Sequence, residues 1–267
     1  MRVVVWNVRG ASEESLETWS ELRALNFDVA LLQEVNGVPD FITETHRFIG
    51  FQANKRMGGK QKFKTGVLVR KGGQTIPVRL ASSHAPLQEV LEAYSGNLVH
   101  VCWERAPGDL WHLLSCYSPA WPLYSFKPII SRGIRAFKSR LSGQLWLTDI
   151  IHRYVGEQVK EMGDTSRWVV AGDFNSATTF DWEKGQNQEV IDNLRAVGFE
   201  DAISALGGKP VPTFRHSRGS VKHQLDYLYL NAAAREGLET CEVLDNGGIF
   251  ERGLSDHLPL LGTWSNL

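Results

Sequence analysis

Amide and acidic side chains stand directly after an apolar run in the stretch VVAGDFNSA, residues 169–177. The run ends at Gly172, and Asp173 and Asn175 follow it. Asp and Asn hydrogen-bond their own backbone and favour turns. Strand ends on a rigid sheet are also where α/β proteins carry ligands and reacting groups. A turn and a functional site therefore both remain open for this stretch taken alone.

The same arrangement recurs along the chain. Polar groups at the ends of apolar runs are Asn7, Gln33 with Glu34, Tyr117, Asp173 with Asn175, Asp226, and Asp256 with His257. If neighbouring strands bring these groups to one edge, three carboxylates near Asn7 form a site of hard oxygen ligands. Carboxylates held together repel one another, and a divalent cation relieves that repulsion. We expect Mg²⁺, with Mn²⁺ as a substitute, and a phosphoester as the group that supplies further oxygens.

His257 has two possible roles in such a site. As an imidazolium it would bind a phosphoryl oxygen, and as a neutral base it would take a proton from water, provided that a carboxylate such as Asp226 orients its ring. Other residues have structural alternatives. Asn7 would cap a turn, Tyr117 would be a core aromatic with a satisfied hydroxyl, and Asp226 would pair with a surface arginine.

The elements that must position these groups are mainly strands. Apolar runs predict strands at 2–6, 29–33, 66–70, 98–103, 111–117, 167–172, 225–230 and 258–263. Helical spacing predicts helices around Leu16 to Leu25, Leu147 to Met162 and Val190 to Val197. Several strands follow one another without a helix between them, which argues against an all-parallel sheet. We expect two packed sheets with helices outside.

The composition sets limits on the class of protein. The chain has 267 residues, 42% of them hydrophobic, and no linker of low complexity, so we expect one domain over 1–267. Its three cysteines form no paired framework, which is typical of reduced thiols and a cytoplasmic protein. No apolar stretch reaches the length of a membrane span or a secretion signal, and no obligate protein partner is evident.

Basic residues are concentrated in segments that lack acids. Residues 45–88, 110–148 and 202–225 contain no Asp or Glu but hold 18 of the 29 Lys and Arg, although the formal net charge is −1. If these three acid-free segments converge, one face suits a polyanion such as nucleic acid; the alternative is that each solvates its own surface. The loop 54–66 is then either a mobile hairpin or an arm that contacts phosphate. Expected phosphate contacts are Arg9, Lys62, Lys64, Arg215 and His216.

The ordered motifs resemble those of the endonuclease/exonuclease/phosphatase superfamily, which includes exonuclease III-type and deoxyribonuclease I-type enzymes. The matching stretches are WNVRG, LLQEV, CYSP, GDFNS, QLDYLYL and SDHLPL. The resemblance spans residues 2–261 and implies a four-layer α/β/β/α sandwich, two mixed sheets flanked by helices. It also implies a divalent-metal-dependent phosphoester hydrolase.

Roles carried over by the matching motifs complete this hypothesis. Glu34 would be the main metal carboxylate, with Asn7 and Asp256 beside it. Asp173 would position or activate the attacking water, and Asn175 would orient that water or the phosphate. Tyr117 would hydrogen-bond the phosphate or assist the leaving group, and Asp226 would orient His257 against the phosphoryl group. We expect Asp173→Asn and His257→Ala to abolish turnover with little change in melting temperature.

The substrate is narrowed by departures from the relatives' patterns. Gln224 and Leu225 precede Asp226 where exonuclease III-type enzymes usually have a basic residue, and Ala11 follows Gly10 where they have NxxGL. These differences disfavour an AP endonuclease proper. The sequence favours a nuclease, with DNA preferred over RNA, and Trp103, Trp121 and Trp182 either stack on unpaired bases or pack in the core. The alternatives are a phosphatase for a small phosphorylated metabolite or lipid head group, and a binding module on an inactive scaffold.

Overall fold

A computed structural model describes most of the chain. The described residues are 1–55, 59–123, 137–163, 165–181, 185–217, 219–245 and 248–265. The strands are β1 Arg2–Asn7, β2 Val29–Val35, β3 His46–Asn54, β4 Lys60–Arg70, β5 Gln74–Val78, β6 Leu98–Glu104, β7 Leu110–Tyr117, β8 Arg167–Asp173, β9 Phe199–Asp201, β10 Phe214–Arg215, β11 Val221–His223, β12 Asp226–Asn231, β13 Leu238–Val243 and β14 Leu260–Trp264. The helices are α1 Leu16–Ala24, α2 Asp40–Thr43, α3 Ala85–Ala93, α4 Leu147–Met162, α5 Gln186–Ala196, α6 Ala202–Ala205 and α7 Ala232–Arg235.

Most strands belong to two six-stranded sheets. The first has the order β13-β14-β1-β2-β4-β3 and the second has the order β5-β6-β7-β8-β12-β9. Each sheet is mixed, because β1 and β2 are parallel in the first, β7 and β8 are parallel in the second, and the other neighbours are antiparallel. Strands β10 and β11 form a separate two-stranded ribbon.

Side chains that alternate between the two faces of each strand separate the core between the sheets from the outer cores under the helices. On β1, Val3 and Val5 lie in the core between the two sheets, whereas Val4 and Trp6 pack with Trp19 of α1 on the outer side. The second sheet packs its outer face against α3, α4 and α5, with Tyr154 and Trp168 fully buried there. This four-layer α/β/β/α sandwich confirms the predicted fold class, since successive side chains of a strand point to opposite faces.

The central parallel pairs explain why polar strand ends meet. The carboxyl ends of β1, β2, β7 and β8 carry Asn7, Glu34, Tyr117 and Asp173. Strand β12 runs antiparallel to β8, so its first residue, Asp226, lies opposite Asp173. Strand β14 runs antiparallel to β1, which brings the residues before it, including His257, to the same edge. Two opposite strand directions thus deliver groups from distant segments to one place.

All eight predicted strands and all three predicted helices are present, but β4 begins at Lys60 rather than at residue 66, and α5 begins at Gln186 rather than near Val190. The sequence patterns missed several further elements, including β3, β5, α3 and β13. The proposed loop over 54–66 is partly strand, because β4 begins at Lys60. Within the described ranges, no helix is both long enough and apolar enough to cross a bilayer.

Two of the three tryptophans for which stacking on bases and core packing were both open, Trp103 and Trp121, lie within the described residues and pack in or against the core. Trp103 is 2% exposed and packs in the core between the sheets, at the end of β6 away from Tyr117. Trp121 packs against the core of the second sheet. Trp182 lies outside the described residues. For Trp103 the stacking role is wrong, because β6 runs antiparallel to β7 and ends at the opposite edge.

Gly172 allows β8 to approach β7 just before Asp173. Its φ is 142°, and a Cβ there would lie 2.0 Å from the carbonyl oxygen of Cys116 and 2.8 Å from Nε2 of Gln33. Both the backbone conformation and the contact exclude a side chain. We expect Gly172→Ala to lower the free energy of unfolding by roughly 3 kcal/mol, measured by urea unfolding.

Gly198→Ala is the matched control for this prediction. Gly198 has a φ of 89°, and nothing lies within 4 Å of a Cβ built on it. The substitution Gly198→Ala should lower the free energy of unfolding by about 1–2 kcal/mol, because only the backbone conformation opposes the added side chain. Equal losses for the two variants would show that the contact of β8 with β7 does not require glycine.

Candidate functional site

The Asp173 carboxylate lies at the end of β8 in a set of amide donors. Its Oδ1 accepts from the backbone N–H of Asn175 at 2.9 Å, and its Oδ2 accepts from Nδ2 of Asn7 at 3.1 Å and Nδ2 of Asn175 at 3.2 Å. Asn175 also donates to the carbonyl oxygen of Ser118 at 2.8 Å. The amide of Asn175 therefore holds Asp173 and the end of β7 together.

Asp226 and His257 form a buried pair beside Asp173. Nδ1 of His257 lies 2.7 Å from Oδ2 of Asp226, and its Nε2 lies 3.9 Å from Oδ2 of Asp173. The same Asp226 oxygen accepts from the hydroxyl of Thr213 at 2.7 Å. Asp226 is fully buried and His257 is 4% exposed. Asp226 thus pairs with the imidazole rather than with a surface arginine, and it orients the ring so that Nε2 faces Asp173.

The charges of this pair favour an imidazolium. Burial alone would lower the pKa of His257, but the carboxylates of Asp226 and Asp173 outweigh it and raise that pKa to about 10. Burial raises the pKa of Asp173 to about 7, and the positive charge of His257 opposes that rise. The arrangement supports a protonated His257 that donates from Nδ1 to Asp226 and keeps its Nε2–H directed toward Asp173, whose own pKa is about 7.

Glu34 occupies a strained position at an irregularity of β2. Its φ is 58°, and the register between β2 and β4 shifts between Leu32 and Val35. Arg9 and Asn175 also have positive φ, at 48° and 46°. Non-glycine residues rarely adopt this conformation, and such strain concentrates at functional sites. The bulge turns Glu34 toward Asn7, whose Nδ2 lies 3.4 Å from Oε1.

Tyr117 and Asp256 lie close to Glu34. Burial raises the pKa of Glu34, and the negative charge of Asp256 adds to the rise, while hydrogen bonds from Asn7 and Tyr117 oppose it. Burial likewise raises the pKa of the Tyr117 hydroxyl, which stays protonated and donates to Glu34. Glu34 and Asp256, which are far apart in the chain, therefore meet at one edge of the sandwich.

The set of acids fits a hard divalent cation. Four carboxylates, Glu34, Asp173, Asp226 and Asp256, face the positive charges of His257 and of Arg9, whose Nε lies 3.7 Å from Asp256. Ligand atoms of Asp173, Asp226 and His257 lie within 4.8 Å of one another and could hold an ion, and Glu34 and Asp256 supply further carboxylates at the same edge. Asn7 differs from its predicted role in one respect: its nitrogen faces the carboxylates, and its oxygen accepts from the backbone of Arg9 at 3.0 Å.

The predicted phosphate contacts are distributed unevenly around the site. Phe63 packs edge-on against Tyr117 at a centroid distance of 5.2 Å, so alternation along β4 places Lys62 and Lys64 on the other face of that strand. The Arg215 guanidinium lies over Phe250 and bonds Glu251 at 2.6 Å, although its backbone N–H donates to the Asp256 carbonyl. Arg9 lies directly at the acidic edge. The binding roles of all five basic residues, His216 included, remain predictions.

Thr213 is a site residue that sequence reasoning missed. Its hydroxyl donates to Asp226 and accepts from the backbone N–H groups of Leu225 and Asp226, at 3.0 and 3.2 Å. Ser255 is another such residue, since its hydroxyl bonds the Asn7 carbonyl at 2.7 Å and accepts from the His257 N–H. Ser255 is the first residue of the SDHLPL motif and could have been noticed there, whereas Thr213 carries no local signal.

We expect Thr213→Val to destabilise the fold and to lower turnover. The change keeps the shape but leaves two buried N–H groups without their Thr213 partner and removes one of the two hydrogen bonds to the Asp226 carboxylate, at a cost of about 1–3 kcal/mol in the free energy of unfolding. Thr65→Val is the control, because Thr65 is fully buried and its hydroxyl has no partner among the described residues. That variant should be neutral or stabilising, and a similar loss in both would refute the role of Thr213.

The Endonuclease/Exonuclease/phosphatase family profile matches residues 4–257, a range that includes every predicted catalytic and metal-binding residue. The chain belongs to this family. Its members are hydrolytic phosphoesterases that depend on a divalent metal, so the chain is an enzyme of that class, and the acids described above are of the kind that such a metal requires. A search of curated proteins finds no significant match.

Solved structures of the family share the fold with this chain. The AP endonuclease from Archaeoglobus fulgidus has a TM-score of 0.71 at 14% identity, with 100% of both chains covered. The 3' phosphatase NExo from Neisseria, bound to product DNA hairpin, has a TM-score of 0.64 at 16% identity, with 100% of both chains covered. The 3'-5' exonuclease NExo from Neisseria meningitidis has a TM-score of 0.63 at 17% identity, with 99% of both covered.

A cavity of about 340 Å³ opens beside the candidate site of this family member. Its lining includes Asn175, Phe174, Phe214, Trp146 and Leu225. Phe214 also lies against the His257 ring, at a centroid distance of 4.9 Å. Polar side chains, among them Ser118, Asp149 and Asn187, make up about half of the lining, and the cavity is of the size that a small ligand occupies.

Proposed function

We propose that this chain is a Mg²⁺-dependent nuclease that hydrolyses phosphodiester bonds of nucleic acid, DNA in preference to RNA, and that residues 1–267 act as one catalytic domain. The observation that carries the proposal is the convergence of Asp173, the Asp226–His257 pair and Glu34 at one edge of the sandwich. A general base for the attacking water, a donor for a phosphoryl oxygen and a carboxylate for a metal are the parts that this reaction needs.

Each of five residues at the site has its own role in the proposed reaction. Asp173 takes a proton from the attacking water, which its raised pKa favours near neutral pH. Asn175 holds Asp173 in position. His257 donates its Nε2–H to a phosphoryl oxygen, and Asp226 keeps the ring oriented and charged. Tyr117, which donates to Glu34, would hydrogen-bond the phosphate or assist the leaving group.

Glu34 and Asp256, with Asn7 beside them, would hold the metal. The bound divalent ion would stabilise negative charge that develops on the phosphate. Relief of the repulsion between the two carboxylates supports binding, since burial and their mutual charge raise the pKa of Glu34. Mn²⁺ has similar preferences for oxygen ligands and should replace Mg²⁺.

Nucleic acid is supported as the substrate by what borders the site. Each acid-free segment contributes a residue there: Phe63 packs on Tyr117, Ser118 bonds Asn175, and Phe214 packs on His257. Their lysines and arginines would neutralise backbone phosphates without reading sequence. That one similar structure holds a product DNA hairpin adds support.

A phosphatase that acts on a small phosphorylated metabolite or lipid head group is the second candidate. It is favoured by the cavity beside Asn175, which is large enough for such a molecule. A neighbour described as a 3' phosphatase also indicates that this fold can remove a terminal phosphate.

A panel of substrates distinguishes the two candidates. Purified protein is incubated with Mg²⁺, with Mn²⁺ or with chelator on plasmid DNA, on labelled intact and abasic oligonucleotides, on RNA, and on sugar and inositol phosphates. The nuclease proposal predicts that the wild-type protein cleaves DNA and that chelator abolishes this cleavage. The Asp173→Asn variant should not cleave DNA even with the metal present. Phosphate release from the small molecules with intact nucleic acids would favour the second candidate. Salt-sensitive binding without any hydrolysis would indicate a binding module.

A further inference from the structure

A second cluster of ligand-type side chains lies between the second sheet and α4, away from the acidic edge. His100 and Cys102 are alternate residues of β6, and Cys102 lies opposite His112 on β7. Alternate residues of one strand and the residue paired with them share a face of the sheet. Three side chains of the kind that bind transition metals therefore project from the same face. No role in the proposed hydrolysis uses them.

The donor atoms of this cluster are already close together. Nε2 of His100 lies 3.2 Å from Nδ1 of His112, and Sγ of Cys102 also lies 3.2 Å from that nitrogen. All three atoms lie within 4.8 Å of one another. In a tetrahedral zinc site, bond lengths give about 3.3 Å between two nitrogens and about 3.6 Å between nitrogen and sulfur. Small side-chain rotations thus suffice to admit an ion.

The surrounding residues hold the two rings in place. The other nitrogen of His100, Nδ1, lies 2.8 Å from the hydroxyl of Tyr154 on α4. The His112 ring stacks on Trp168 at 4.4 Å with an interplanar angle of 10°. Metal-binding histidines commonly use their second nitrogen for such an orienting hydrogen bond. The cluster therefore has outer contacts as well as ligand atoms.

We propose that His100, Cys102 and His112 form a binding site for a borderline-soft transition metal, with Zn²⁺ as the representative ion. Two imidazole nitrogens and one sulfur suit Zn²⁺ and exclude Mg²⁺, which prefers oxygen ligands. The two histidines are buried, whereas Cys102 is partly exposed, so the ion enters from the side of Cys102. An exogenous ligand such as water completes the fourth position.

Binding is balanced by the release of one proton. In the absence of metal, burial lowers the pKa of His100 to about 3 and that of His112 to about 4, and raises that of Cys102 to about 11. Both rings are therefore neutral at neutral pH, and each has one nitrogen whose lone pair can bind a metal once the hydrogen bonds within the cluster are exchanged for bonds to the ion. The S–H bond of Cys102 breaks as the sulfur–metal bond forms, and the proton passes to the buffer.

The experiment uses the purified full chain with Zn²⁺ and Co²⁺ as probes, in the presence of excess Mg²⁺ to fill the acidic site. We expect one Zn²⁺ per chain with release of one proton, and a thiolate-to-cobalt charge-transfer band in the near ultraviolet. Carboxylate ligands cannot produce that band. Cys102→Ser should abolish the band and weaken Zn²⁺ binding by at least about 10-fold.

Cys241→Ser is the matched control, because Cys241 is also a partly exposed free thiol but lies on β13. It should keep both the band and the affinity. Absence of the charge-transfer band in the wild-type protein would overturn the proposal without any variant. Equal Zn²⁺ affinity in the wild type and Cys102→Ser would also overturn it, provided that their melting temperatures in chelator agree.

Discussion

Replacing Asp173 by asparagine is expected to lower turnover by about 10²–10⁴-fold, the range associated with loss of a general base. The variant retains the shape of the side chain but cannot take a proton from water. Because burial raises the pKa of Asp173, the ionised carboxylate does not stabilise the folded state, and its removal is tolerated. We expect the melting temperature to change by no more than about 4 °C, or about 1 kcal/mol.

Asp201→Asn separates the catalytic effect from a general effect of removing a buried acid. Asp201 is 6% exposed, burial raises its pKa to about 6, and its side chain caps α6 by accepting from the backbone of Ser204. Asparagine retains that cap. Steady-state rates on a phosphodiester substrate should show normal turnover for this variant. Thermal melts measure its stability. Undiminished turnover of Asp173→Asn would remove Asp173 from the mechanism.

Replacing His257 by alanine is expected to abolish turnover and also to cost about 3–5 kcal/mol in the free energy of unfolding. The sequence alone led us to expect an unchanged melting temperature. The structure changes that expectation, because the fully buried Asp226 would lose its positive partner and keep only the Thr213 hydroxyl. Its second oxygen, Oδ1, is already without a partner among the described residues.

A double-mutant cycle measures this coupling. Urea unfolding in chelator is compared for the wild type, His257→Ala, Asp226→Asn and the double variant. The His257→Ala variant leaves the buried Asp226 charge without its positive partner, and Asp226→Asn removes that charge. The double variant should therefore be more stable than the sum of the two single losses predicts. Additive losses, within about 0.5 kcal/mol, would contradict a charged pair.

His46→Ala is the control for loss of a buried histidine. His46 is 6% exposed and stacks on Phe27 at 4.2 Å, and its hydrogen bonds go to the Thr45 hydroxyl and the Phe27 carbonyl. This substitution loses packing but leaves no buried carboxylate without a partner. Turnover should therefore persist. Loss of turnover in His46→Ala would show that inactivity follows from instability rather than from the site.

The central strands were predictable because each is a local apolar run. Runs such as Val3 to Trp6 and Val169 to Gly172 are buried on both faces of a sheet, so burial and sequence pattern coincide. Edge strands were missed because they are not buried on both faces and so lack a continuous apolar run. On β13, Leu238–Val243, every side chain is partly or fully exposed, and polar residues interrupt the pattern. Sequence periodicity weakens where a strand has few neighbours to pack against.

The candidate site was predictable in its members but not in its contacts. The ordered motifs indicated Glu34, Asp173 and His257, and these residues do meet. Thr213 could not be found, since its hydroxyl matters only after β12 has brought Asp226 beside it. The direction of the Asn7 amide is also a consequence of the assembled site.

The sequence by itself determined the central apolar strands and the chemical groups at their ends, because both depend on short segments. Only the tertiary structure decided which ends share an edge. Trp103 lies at the far edge because β6 reverses direction relative to β7, and Lys62 and Lys64 are separated from Tyr117 by alternation along β4. The physical reason is that strand direction, register and burial of charge arise from pairing between distant segments, which local patterns do not encode.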